Sequence, residues 1–200
     1  MIIAGLTGGI ASGKTTVAAI LRRQGARIVD ADLIARQVVA PGEPSWKAIR
    51  DFFGGAVLND DGTINRPLLG RWVFENPGLR RELEKIVHPW VRARMNAQVD
   101  RIRQTQPRAV VVQDIPLLYE SQMAGGLAEV IVVYAPAVLQ LQRLVRRDGI
   151  GIPDARARIA AQLPIEEKCR RATIIINNSG GRSETMDQTV KVYADLARRA

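Results

Sequence analysis

Ile2-Ile3-Ala4-Gly5-Leu6-Thr7-Gly8-Gly9-Ile10-Ala11-Ser12-Gly13-Lys14-Thr15 decides the fold. The apolar run Ile2–Leu6 suits a buried strand, and Gly8–Thr15 fits the phosphate-loop pattern G-x-x-x-x-G-K-[ST]. Thr16 to Leu21 continue as a helix with Val17, Ile20 and Leu21 on one face, so the pattern sits between strand and helix, as its chemistry requires. The glycines let successive backbone N–H groups turn inward toward phosphate oxygens, and the helix dipole reinforces that field. Gly8, Gly9, Ile10, Ala11, Ser12, Gly13, Lys14, Thr15 and Thr16 are therefore the expected phosphate cradle. Lys14 is expected to reach the β- and γ-phosphates, and the Thr15 hydroxyl to ligate Mg²⁺. A nucleoside triphosphate is the expected ligand.

Working outward, 200 residues suffice for one well-cored α/β domain with an inserted subregion, but not comfortably for two domains. At 46% hydrophobic and 24% charged residues the composition is that of an ordinary globular protein. The single cysteine, Cys169, excludes an internal disulfide and, with one histidine, leaves no Cys/His metal cluster; this points to a reducing cytoplasm. The N-terminal residues read as a strand and not as a signal peptide, and no apolar run approaches the length of a membrane span. The net charge of +9 rests on 24 arginines against 5 lysines, scattered over expected helix surfaces such as Arg22, Arg23, Arg80, Arg81, Arg198 and Arg199. Solvated faces and an anionic small-molecule substrate account for them better than a nucleic acid.

Strand-like segments recur at Ile2–Leu6, Arg27–Val29, Ala109–Gln113, Glu129–Tyr134 and Thr173–Ile176, with helical periodicity at Lys14–Gln24, Ala137–Arg147 and Ser183–Arg199. Val110-Val111-Val112 and Val130-Ile131-Val132-Val133 are nearly continuous β-branched runs, as in strands buried on both faces of a parallel sheet. The alternation predicts a doubly wound α/β sheet with right-handed crossovers. Residues 32–108 carry turn signals at Pro41-Gly42, Asn59-Asp60-Asp61-Gly62 and Asn76-Pro77-Gly78 and no buried strand, and are expected to be a mostly helical insertion. The stretch 143–171 is broken by Gly149, Gly151, Pro153 and Pro164 and is expected to be a mobile helical lid.

Ligands of such sheets gather beyond the carboxyl ends of the strands, so the residues after each strand carry the chemistry. Asp30-Ala31-Asp32 follows the second strand: one carboxylate is placed to accept a proton from an incoming hydroxyl, and the other to hold Mg²⁺ waters or orient the first. The alternative is that Asp30 or Asp32 caps a helix beginning at Leu33. Asp114 follows the third strand, where a second acid of phosphate-loop proteins meets Mg²⁺ through water. Pro116-Leu117-Leu118 cannot continue a central strand, and either walls an apolar pocket or packs the strand exit. Arg143, Arg146 and Arg147 share a helical stretch, with Arg143 and Arg147 one turn apart, and are placed to close over a triphosphate unless they are simply solvated. His88 precedes Pro89, so a structural histidine at a kink is expected there.

In sum these landmarks resemble one family, the dephospho-CoA kinases. They run in family order from Gly5-Leu6-Thr7-Gly8-Gly9-Ile10 through Asp30-Ala31-Asp32, Ile34-Ala35-Arg36-Gln37-Val38-Val39, Pro41-Gly42, His88-Pro89 and Pro116-Leu117-Leu118-Tyr119-Glu120. They continue through Arg143-Leu144, Arg147-Asp148-Gly149, Arg158, Gln162, Glu167-Lys168 and Asn178-Ser179-Gly180. The resemblance implies a P-loop kinase fold: a five-stranded parallel sheet flanked by helices, with a helical substrate-binding insertion and a helical lid. It implies a nucleotide-binding core of residues 1–31, 109–142 and 172–200, an insertion of 32–108 that binds the CoA moiety, and a lid of 143–171. It implies ATP-dependent phosphorylation of the ribose 3′-hydroxyl of dephospho-CoA. Asp32 is then base or hydroxyl-orienting group, while Lys14, Arg143 and Arg147 steady the phosphoryl group. His88, Pro116, Leu117 and Leu118 border the acceptor, and Arg143 and Asn177 lie near the adenine. A monomer or small homo-oligomer is expected, with no nucleic-acid or membrane partner. Three positions depart from the family pattern: Ala11 for an inner glycine of the loop, strained if φ is positive there; Thr15 for Ser; and Thr173 where Asp is common.

A GTPase switch is the competing reading from another class. It requires a guanine-reading Asn-Lys-x-Asp, which the sequence lacks, and its Asp-x-x-Gly occurs only at Asp51–Gly54 and Asp148–Gly151, neither after a sheet strand.

Overall fold

A computed structural model describes all residues, 1–200. The chain divides into two compact units, one formed by Met1–Val29 with Arg101–Ala200 and the other by Asp30–Asp100.

The larger unit is built on five strands: β1 (Ile2–Gly8), β2 (Arg27–Asp30), β3 (Val110–Asp114), β4 (Glu129–Tyr134) and β5 (Ile174–Asn177). They form one parallel sheet in the order β2-β3-β1-β4-β5. β1 lies at its centre, with Leu6 beside Asp114 of β3 and Ile131 of β4. The β-branched runs read from the sequence are indeed strands enclosed on both faces: Val110, Val111 and Val112, and Val130 through Val133, are all buried. Helices α1 (Lys14–Gln24) and α9 (Arg182–Arg199) pack on each other and cover one face, so that Val17, Ala18, Leu21 and Leu196 close over Ile2, Ala4, Leu6, Val112, Ile131 and Ile176.

The expected breaks in 143–171 separate three helices, α6 (Ala137–Asp148), α7 (Ile152–Ala160) and α8 (Ile165–Arg170). Gly149 ends α6 in the left-handed region (φ +65°), Pro153 opens α7 and Pro164 caps α8. Thr173, where the family often has an acid, holds the start of β5 to β4: its hydroxyl accepts the Val130 N–H at 2.8 Å, so a neutral acceptor serves there.

The smaller unit is helical: α2 (Ala31–Val38), α3 (Pro44–Phe53), a 3₁₀ turn (Gly55–Val57), α4 (Arg66–Glu75) and most of α5 (Pro77–Thr105). Its sheet-like content is one isolated bridge, Leu58 to Ile64. Ile34, Val38, Ile49, Phe53, Val57, Ile64, Leu69, Val91, Met95 and Val99 form its buried apolar set. At His88-Pro89, where a kink is expected, α5 runs on through Pro89 as one helix. Proline forfeits one backbone hydrogen bond, but Val91, Met95 and Val99, spaced four apart, bury one continuous stripe beyond it and keep the segment helical.

Many arginines pair with acids one helical turn away on exposed faces: Arg80 with Glu84, Arg170 and Arg171 with Glu167, and Arg198 and Arg199 with Asp195. No helix is long and apolar enough to cross a membrane.

Candidate active site

The phosphate loop lies between the last residue of β1, Gly8, and the first of α1, Lys14. Its turn is closed by the Ser12 N–H donating to Gly9 O (3.0 Å), and its junction with α1 by the Thr16 and Val17 N–H groups, which donate to Gly13 O. The loop is braced on three sides. A Cβ on Gly9 would stand 2.3 Å from Gln140 Oε1, and one on Gly13 would stand 2.0 Å from Asn178 Nδ2. Gly13 also has φ +94°, so it answers both to conformation and to space. Asn178 donates its amide to Ser12 O (2.7 Å) and accepts from Thr185 Oγ1 (2.7 Å). From the connection between α7 and α8, Gln162 Oε1 accepts the Ile10 N–H at 2.9 Å.

Ala11 occupies the left-handed region with φ +58°, so the inner loop position does require positive φ and alanine is strained in it. The Ala11→Gly variant is expected to gain about 0.5–1 kcal/mol, the relief of the left-handed alanine less the extra freedom of glycine in the unfolded chain. Thermal denaturation should show a midpoint raised by about 1–3 °C; a lowered midpoint would contradict this account.

Lys14 Nζ lies 2.6 Å from Asp114 Oδ1, a contact delivered by the pairing of Leu6 with Asp114 in adjacent strands. The two residues singled out from separate segments of sequence thus meet. Thr15 and Thr16 are exposed on the first turn of α1. Arg143 turns toward the loop, donating to Asn178 O (3.0 Å) and to Ser12 O (3.5 Å). Arg147, one turn on, pairs instead with its neighbour Asp148, which Arg158 also engages, so the two arginines do not act as one face. Those bonds to Asp148 raise the Arg147 pKa.

Asn177 is exposed at the end of β5, its backbone bonded both ways to Gln188 and its side chain accepting the Ser179 N–H. The residue that reaches the loop is the next one, Asn178. Pro116 O accepts from Thr7 Oγ1 (2.9 Å), and Leu117 is exposed. Leu118 is fully buried, packed beneath Gly5 with its side chain within 3.2 Å of where a Cβ would be, so it supports the β3 exit instead of presenting a surface.

In the smaller unit, Asp30 is the cap of α2: its Oδ1 accepts the Leu33 N–H at 2.9 Å. The helix begins at Ala31, two residues before the expected Leu33, and Asp32 stands exposed on its first turn. His88 is half-buried on α5, and burial, opposed by Glu84 and reinforced by Arg92, moves its pKa below the ordinary histidine value.

Sequence reasoning assigned no role to Gln140, Gln162, Lys168, Glu120 or Asn178. Lys168 is fully buried and paired with Glu120 at 2.8 Å. Burial alone would raise the Glu120 pKa, but hydrogen bonds from Lys168 and from backbone N–H groups prevail and hold it below the usual value. The signal available for Asn178 was its place at the carboxyl end of the last strand; Glu120, Gln162 and Lys168 stood only in the run of family landmarks, and nothing in the sequence pointed to Gln140.

Residues 2–184 match the family described as CoaE, dephospho-CoA kinase. The chain belongs to the dephospho-CoA kinase family. The dephospho-CoA kinase of Anaeromyxobacter dehalogenans is 46% identical over 196 residues, covering 98% of this chain and 92% of that one. Among solved structures, the dephospho-CoA kinase from Campylobacter jejuni superposes with a TM-score of 0.75 at 30% identity, covering 98% of each chain. TT1252 from Thermus thermophilus gives 0.85 at 36% identity, covering 100% of this chain and 98% of that one. Membership in the dephospho-CoA kinase family accounts for the landmarks outside the phosphate loop, which unrelated phosphate-loop proteins have no reason to share.

Proposed function

We propose that the chain transfers the γ-phosphoryl group of ATP to the ribose 3′-hydroxyl of dephospho-CoA, giving coenzyme A and ADP, the last step of coenzyme A biosynthesis. The observation that carries this reading is the braced phosphate loop ending in Lys14, 2.6 Å from Asp114, in a chain that matches the family along residues 2–184.

Residues Gly8–Thr16 cradle the phosphates through those loop N–H groups that Gln162, Gly9 O and Gly13 O do not engage, and Lys14 trades Asp114 for the β- and γ-phosphoryl oxygens. Asp32 accepts or orients the acceptor hydroxyl proton; it is the member of the acid pair that capping leaves available. His88, Pro116 and Leu117 border the acceptor, with Leu118 supporting them from the core. Arg143 and Asn177 sit toward the adenine, and residues 143–171 act as the lid that brings Arg147 to the transferring group. The Thr15 hydroxyl and Asp114 carboxylate are hard oxygen donors that suit Mg²⁺ and would hold it. When bound, such an ion neutralises charge between the β- and γ-phosphates. In this reading residues 32–108 bind the CoA moiety, and the protein works in the cytoplasm as a monomer or small homo-oligomer, without nucleic-acid or membrane partner.

A coupled assay is expected to show ADP release that requires ATP, Mg²⁺ and dephospho-CoA together, with one new 3′-phosphate per ADP. No turnover under those conditions would overturn the proposal.

A further inference from the structure

Under the phosphate loop lies a cation that the mechanism above does not use. The ammonium of Lys168, with no exposed surface, has three donors and three acceptors: Glu120 Oε1 at 2.8 Å, Gly8 O at 3.4 Å and Pro116 O at 3.4 Å. Gly8 opens the phosphate loop, and Pro116 begins the segment assigned to the acceptor side, two residues after Asp114. Glu120 Oε1 also accepts the Leu163 N–H (2.9 Å), and the adjacent Gln162 reaches the Ile10 N–H. Thr7 Oγ1 ties the same Pro116 carbonyl to the end of β1. One buried ammonium is thus shared between the start of the donor loop, the start of the acceptor segment and the connection from α7 to α8.

Burying such a pair costs several kcal/mol in desolvation, and neutral residues of like volume often hold a core equally well. Stability is therefore a weak reason for Lys168. What an ammonium does that an apolar side chain cannot is to hold two backbone carbonyls at a fixed separation.

We propose that Lys168, seated by Glu120, is a positioning residue for phosphoryl transfer that sets the spacing between Gly8 of the phosphate loop and the Pro116-Leu117 segment. The inference rests on the kinase reading. Displacement of reacting groups by about 1 Å lowers rates on the order of 10²-fold, so the loss of this spacer appears in kcat.

The test compares wild type with Glu120→Gln and with the double variant Lys168→Met/Glu120→Gln, which removes both charges together and leaves none buried alone. Wild type is assayed first: if it fails to turn over ATP with dephospho-CoA, the kinase reading falls, separately from this proposal. With wild type active, the double variant is expected to lose about 10–100-fold in kcat while ATP affinity, from titration with a fluorescent analogue, stays within about 3-fold. Its thermal midpoint should stay within a few degrees of wild type. A kcat within about 2-fold of wild type overturns the proposal. So does a parallel fall of kcat, ATP affinity and thermal midpoint, which would make the pair merely structural. Should the double variant not fold, Glu120→Gln decides on kcat against ATP affinity alone, the midpoint set aside because this variant leaves the Lys168 ammonium buried without its counter-charge; it keeps the side-chain shape and the acceptor for Leu163.

Discussion

Replacing Lys14 with alanine is expected to lower kcat by about 10²–10³-fold, the range for removing one preorganised donor from a developing anionic transition state. The ammonium is already in place: it emerges from the first residue of α1 and is held 2.6 Å from Asp114 at the end of β3. Charge builds on the oxygens of the transferring group as it passes between donor and acceptor, and Lys14 is the cation the loop itself delivers there. Lys14→Arg should not restore the rate, because a planar fork is a poor replacement for a compact point charge in a loop braced by Asn178 and Gln162. ADP release measured with both substrates saturating checks this. Retention of more than about one tenth of wild-type kcat would remove Lys14 from the centre of the chemistry.

Asp32→Asn is expected to lower kcat by about 10²–10⁴-fold with ATP affinity nearly unchanged, if Asp32 takes the proton of the acceptor hydroxyl. Asparagine keeps the size and the helical position and removes only the basic oxygen. The neighbouring acid supplies the control. Asp30 is committed to capping α2 through Leu33, and asparagine caps a helix about as well, so Asp30→Asn should change both rate and stability little. A loss below about 10-fold at Asp32 would make it an orienting group, because a loose phosphoryl transition state asks little of a base. Equal losses at both positions would return the question to the pair.

The contrast between those two aspartates shows where the sequence speaks and where it stops. Gly8–Thr15 is legible because its chemistry is local: spacing alone aims the amides and the lysine. β3 and β4 were legible to within a residue because their β-branched runs are buried on both faces. At His88-Pro89 the limit is the opposite one: a local rule does not say whether the helix goes on. The X-Pro rule concerns two residues, whereas the stripe of Val91, Met95 and Val99 recruits a whole helix against it. Asn178, Gln162 and Lys168 reach the loop from partners 166, 152 and 160 residues away, distances over which no local pattern operates. Positive φ at Ala11 belongs to the same class, since loop closure imposes it and not the residue's own preference.

The central position of β1 bears on how the chain is made. Ile2 pairs with Val110, 108 residues later, and β4, on its other side, follows further along still. At ribosomal speeds of about 5–20 residues per second, roughly 5–20 s separate the emergence of β1 from that of its first neighbour. Throughout that interval the nascent chain carries Ile2–Leu6 with both edges unpaired, the general condition in which strands are open to non-native pairing. Lys14 likewise meets Asp114, 100 residues on, only after more than half of the polypeptide has been translated.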